Sequence, residues 1–256
     1  MVTARARGPR FGGGFTRRAT AAASLVLLAS LTGLFTGAAS AVGAAGPAHA
    51  VDPEVNVPVP QAPVAEPEDP IRASEYWLDK YGVREAWKTT RGKGVTIAVI
   101  DTGIAKGPVE FEGAVVGGTD VSGVGSHDGR TPVGVVDSAH GSWVGSLAAA
   151  RGTGVDAGMI GVAPEASLLS ISVGFTASSS RVPFSEQIAT AMRWAVDNGA
   201  DIINLSFTTN TLDWDESWDD AFMYAFEHDV VVIVAAGNRG SGIARVGAPA
   251  TIPGVL

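Results

Sequence analysis

Four short apolar runs, residues 95–100, 167–173, 201–206 and 230–236, alternate along the chain with segments of helical character at about 138–150, 184–198 and 216–228. Runs so nearly continuous in apolar residues leave no polar face for solvent, so each strand must be covered on both sides. Strands separated by helices are joined by crossovers and lie parallel. The expected architecture is therefore α/β: a mainly parallel sheet between two layers of helices. The helix over 184–198 has Ile188, Met192, Ala195 and Val196 on one face, Ser185 as expected N-cap and Gly199 as its stop. Active sites of such sheets gather beyond the carboxyl ends of the strands. Three of those ends carry polar or glycine-rich tips: Asp101-Thr102-Gly103, Ser206-Phe207-Thr208 and Ala236-Gly237-Asn238.

The sheet is preceded by segments of different character. Residues 1–50 read as a signal peptide. Arginines come first (Arg5, Arg7, Arg10, Arg17, Arg18), an apolar stretch follows from Ala21 to Phe35, and small residues end in Ala48-His49-Ala50. The apolar stretch is interrupted and falls short of the roughly 20 residues a membrane-spanning helix needs. The expectation is thus export without stable membrane insertion. Residues 51–70 hold Pro53, Pro58, Pro60, Pro63, Pro67 and Pro70 among Glu54, Glu66, Glu68 and Asp69, the composition of an extended, solvated linker. The body starts near Ile71. Two short helical pieces, broken by Gly82, are expected over 74–88, with Tyr76, Trp77, Tyr81, Val83 and Trp87 as core candidates.

Charge and cysteine content exclude several functions. Without the first fifty residues, 13 basic side chains face 26 acidic ones, a net charge of −13 that repels phosphate backbones and makes nucleic acid an unsuitable partner. The chain has no cysteine, so neither disulfides nor thiolate metal sites can form. A mean hydropathy of +0.21 is ample for a sizeable core.

Asp101 follows a run of four apolar residues, Ile97 to Ile100, and a carboxylate there needs a donor or cation to offset desolvation. By itself Asp-Thr-Gly fits a turn cap or, in two copies on a mostly β fold, an aspartic protease; this chain has one copy in an α/β pattern. His140 opens a helix rich in small residues, which can approach a sheet closely, and near a strand-end aspartate it is a candidate base. His127 and His228 read as structural or exposed. Asn238 fits a turn or a side-chain amide aimed at an oxyanion.

Taken in order, Val99-Ile100-Asp101-Thr102-Gly103, His140-Gly141-Ser142, Gly161-Val162-Ala163-Pro164-Glu165-Ala166, Ile203-Asn204-Leu205-Ser206 and Ala235-Ala236-Gly237-Asn238 resemble the pattern of the subtilases, the subtilisin-like serine proteases of peptidase family S8. The likeness runs from about Tyr76 to Leu256. It implies a three-layer subtilisin-like fold, incomplete at the C-terminus, and a secreted endopeptidase hydrolysing polypeptides through an Asp-His-Ser triad. Asp101 and His140 would be catalytic, Asn238 would line the oxyanion hole, and Ser172, Gly174, Ser206, Phe207 and Thr208 would line the substrate groove. It also implies a monomer that requires no cofactor. Calcium is common in the family's loops; Asp120, Asp128 and Asp137 lie in a loop-rich stretch, but their spacing fixes no cage and no metal site is assigned. Pro249 matches a position often preceded by a cis peptide.

Departures accompany the likeness. Trp143 stands where the family has histidine, Ser142 where it has threonine, and Thr208 where glycine is common. Residues 51–75 are too short and too proline-rich for a folded inhibitory propeptide. The family's nucleophile sits in a Gly-Thr-Ser-Met-Ala-like segment at a helix N-terminus. Gly145-Ser146 and Gly240-Ser241-Gly242 lack that context, so the serine is expected beyond residue 256. The alternative is a secreted peptide-binding protein without catalysis.

Overall fold

The computed structural model of the protein describes residues 68–134, 137–209, 211–238 and 246–256. The expected signal peptide lies outside them, as does the expected linker up to Pro67. Among these residues five strands form one sheet: β1 (Thr96–Asp101), β2 (Val115–Asp120), β3 (Ser167–Ser172), β4 (Ile202–Leu205) and β5 (Val231–Val234). Every pairing is parallel, and the order is β2-β3-β1-β4-β5. Among the described residues six α-helices accompany it: α1 (Pro70–Ala73), α2 (Trp77–Lys80), α3 (Val83–Ala86), α4 (His140–Ala149), α5 (Phe184–Asp197) and α6 (Ser217–Glu227), with a single 3-10 turn at Val109–Phe111.

Strand alternation divides the core. Ala98 and Ile100 of β1 join Ile171, Ile203 and Leu205 against Ile188 and Met192 of α5 and Phe222 of α6. Ile97 and Val99 point the other way, with Leu168, toward Ala149 of α4. Both faces of β1 are thus dry, which is why the run from Ile97 to Ile100 contains no polar residue. The three layers expected from the sequence are present. Among the described residues no helix is long and apolar enough to cross a membrane.

Several local expectations change. β2 was not expected: Val115-Val116-Gly117-Gly118-Thr119-Asp120 has only two large apolar residues, which suffices because β2 is an edge strand with a register shift between Val115 and Gly117. Ser185 lies inside the first turn of α5, not at its cap; Pro183 precedes the helix. Gly199 does stop α5, with φ of 78°. Gly82, with φ of 69°, separates α2 from α3 as its position suggested. Tyr76 and Tyr81 are exposed beside Lys80; Leu78 and Val83 fill the small core there. The Ala248–Pro249 peptide is cis.

Candidate active site

Asp101 is the last residue of the central strand and is fully buried. Its Oδ1 accepts the N–H of Thr102 at 2.6 Å, and both carboxylate oxygens lie 2.9 Å from Nδ1 of His140. An ionised carboxylate can only accept, so Nδ1 carries the hydrogen and the Nε2 lone pair of a neutral ring is left free. The imidazole is 40% exposed, so one edge is fixed while the other remains accessible.

His140 reaches Asp101 because α4 starts almost in contact with the tip of β1. The Thr102 hydroxyl donates to Ser138 O at 2.7 Å and accepts Gly141 N–H at 2.9 Å, tying strand end to helix start. Ser142 Oγ accepts the Ala105 N–H at 2.9 Å. Arg130 props the same segment by donating to the carbonyls of Ile104 and Ala105. A Cβ on Gly141 would meet Gly103 O at 2.6 Å and Gly103 N at 2.8 Å, closer than backbone can tolerate. Gly141→Ala is therefore expected to destabilise the protein by about 1–3 kcal/mol in denaturant unfolding. Gly107→Ala, which has open space, should cost little.

The other two tips follow in sheet order, β4 next to β1 and β5 next to β4. Ala235 N–H bonds Leu205 O, and a Cβ on Gly237 would lie 3.1 Å from the Thr208 side chain, so the ends of β4 and β5 touch. Asn238 is exposed at the β5 end, while Ser206, Phe207 and Thr208 are half-buried. Of the expected groove residues, the Ser172 side chain points elsewhere. Ser172 is fully buried and donates its hydroxyl to Asp120 at 2.7 Å. Gly174 is buried, with its N–H and carbonyl both bonded to the Gln187 side chain. Strand alternation turns Ser172 inward, so its side chain cannot line a groove.

The family model describing the subtilase family matches residues 92–256, well over half of the chain. The chain belongs to the subtilase family. It is 32% identical to fervidolysin of Fervidobacterium pennivorans over 195 residues, covering 72% of this chain and 26% of that protein. Thermitase of Thermoactinomyces vulgaris is also 32% identical, over 176 residues covering 68% and 59%. The crystal structure of fervidolysin, described as a keratinolytic enzyme related to subtilisin, superposes with a TM-score of 0.55 at 29% identity, covering 68% of this chain and 25% of that one. The chain thus spans about a quarter to three fifths of the length of these relatives.

The subtilase pattern also gives meaning to features that sequence reasoning passed over. The hydroxyl of Thr102 and the main chain of Gly103 set the approach of α4, roles that the tripeptide alone did not disclose. Gly161, Val162 and Ala163 donate their N–H groups to the carbonyls of Ala150, Leu147 and Ala148, so that segment completes the C-terminal turn of α4. Asp120 is engaged by Ser122, Ser172, Gly123 and Gly125. Asp128 is held far below the usual carboxylate range by Lys106 at 2.7 Å, with Ser126 and the Arg130 N–H assisting.

Proposed function

We propose that these residues form the front part of the peptidase domain of a secreted serine endopeptidase whose nucleophile lies beyond residue 256. The observation that carries this reading is the contact of His140 Nδ1 with both Asp101 oxygens at 2.9 Å, at the carboxyl edge of a parallel sheet. Export is supported by the composition of residues 1–50. In this reading the serine hydroxyl passes its proton to His140 Nε2 as it attacks the scissile carbonyl. Asp101 stabilises the resulting imidazolium and fixes its orientation. His140 then returns the proton to the leaving amine.

Asn238 donates its side-chain amide to the oxyanion of the tetrahedral intermediate, where a preorganised donor acts most strongly on the developing charge. The substrate lies extended along Ser206-Phe207-Thr208, pairing through its main chain and so accepting varied sequences. The protein acts as a monomer on polypeptides, and no step requires a cofactor. Two measurements test the reading. The coding sequence past Leu256 is expected to contain a Gly-Thr-Ser-like segment, and a stop codon before one would sink the proposal. In that complete product, Asn238→Ala is expected to lower kcat for a peptide substrate on the order of a hundred- to a thousandfold with KM nearly unchanged, a magnitude taken from subtilisin's own asparagine.

A further inference from the structure

The tip of β4 is pinned on both sides of Thr208. Phe207 packs edge-on against Phe184 and Phe175, with ring centres 5.2 and 5.7 Å away, and reaches Trp218 at 6.3 Å. Thr209 donates its N–H to Ala248 O at 2.7 Å. Between these anchors Thr208 turns toward β5. A Cβ built on Gly237 would lie 3.1 Å from its methyl, Cγ2, and 3.8 Å from its Cβ and Oγ1. The Thr208 hydroxyl is engaged by Thr209 O at 3.2 Å, which leaves the methyl as the group nearest β5. Gly237, at φ of 90°, contributes no side chain there, so the Thr208 methyl takes up the space between the two tips.

That space matters to a substrate. Residues 206–208 pair with its main chain and Asn238, directly after Gly237, receives the oxyanion. The substrate residue that supplies the scissile carbonyl must therefore span the junction of the two tips. Main-chain pairing tolerates varied side chains elsewhere, but a side chain directed into the junction meets the Thr208 methyl. The aromatic cluster and the Ala248 bond keep the tip from retreating, and close-packed atoms resist even one extra methylene. Glycine is common in the family where Thr208 stands. A glycine there would face Gly237 across a slot bounded by backbone, and Thr208 closes that slot.

We propose that Thr208 determines specificity: its methyl restricts the substrate residue on the acyl side of the scissile bond to Gly, Ala or Ser. The proposal rests on the peptidase reading above and is tested in the complete gene product. The substrates are peptides identical except for Gly, Ala, Ser, Leu or Phe at that position, with the cleaved bond located by mass spectrometry. Values of kcat/KM are compared in the parent, Thr208→Gly, Thr208→Ser and Thr208→Val. One methylene in a fitted pocket changes such values about 10- to 200-fold, so the parent should favour Ala over Phe by about a hundredfold or more. Thr208→Gly should shift the Phe-to-Ala ratio about a hundredfold toward Phe. Thr208→Ser, which removes the methyl and keeps the hydroxyl, should shift it about tenfold, whereas Thr208→Val, which keeps the shape, should hold the parent's ratio. If Thr208→Gly does not fold, the Ser and Val variants decide. A parent that cleaves after Phe as readily as after Ala overturns the proposal, and so does a ratio that Thr208→Ser leaves unmoved. Either result leaves the peptidase reading standing. A complete product that hydrolyses none of the peptides overturns that reading, and this proposal with it.

Discussion

Asp101→Asn, made in the complete gene product, is expected to lower kcat about ten-thousandfold while leaving the fold and KM nearly unchanged. The side chain is fully buried, and an amide of the same shape can still accept the Thr102 N–H through Oδ1. Its other atom, however, becomes a donor facing His140 Nδ1. The imidazole must then accept at Nδ1 and carry its hydrogen on Nε2, the atom that should take the nucleophile's proton. The substitution also removes the charge that stabilises the imidazolium. Steady-state kinetics on a peptide substrate measure the loss, with circular dichroism reporting the fold. His140→Ala should be at least as severe, and adding Asp101→Asn to it should cost little more, because residues acting as a unit are not additive. A fall of less than tenfold in Asp101→Asn would remove Asp101 from the mechanism.

The strands that carry this site were legible because burial on both faces imposes an unbroken apolar sequence. Ile97 to Ile100 and Ile203 to Leu205 sit close to where their composition placed them. The pairing of Asp101 with His140 was legible only as an expectation from chemistry and resemblance, since 39 residues separate them. Where a strand lies at the sheet edge the constraint weakens, and β2, with its two glycines, escaped notice. Ser172 shows another limit. The family resemblance suggested a groove residue, but side-chain alternation decides direction, and its hydroxyl turned to Asp120. Least legible were polar contacts between distant segments. Nothing in the stretch around Arg72 announces that it meets residues 157–160, some 85 positions later.

Those contacts form a clasp whose loss should have the largest effect on stability. Arg72 and Glu75 have side-chain exposures of only 7% and 1%, with Nε and Oε2 3.0 Å apart. Arg72 donates to Ala157 O at 2.9 Å and to Gly158 O at 3.0 and 3.1 Å; Glu75 Oε1 accepts the Ile160 N–H at 2.7 Å. Asp69 caps α1 from below through Ile71 and Arg72. The Nε hydrogen is directed at Gly158, so Glu75 Oε2 has the charge of Arg72 nearby but no hydrogen bond.

Arg72→Ala is therefore expected to cost about 3–5 kcal/mol, the usual result of leaving a buried charge without its partner. Burial already pushes the Glu75 carboxyl above its ordinary range, against the pull of the Ile160 N–H and Arg72. Without Arg72 it moves higher still. A carboxyl raised in the folded state binds more protons there, so its penalty is complete above the raised value and is relieved as pH falls toward the unfolded one. The gap between Arg72→Ala and the parent should accordingly narrow between neutral pH and about pH 5 in urea unfolding. A double change, Arg72→Met with Glu75→Leu, should recover much of the loss. A deficit under 1 kcal/mol at neutral pH would mean that the clasp is dispensable. The effect should also reach the site. The loop that Arg72 holds leads directly into Gly161, Val162 and Ala163, whose N–H groups end α4, so a loosened clasp frees the far end of the helix that presents His140.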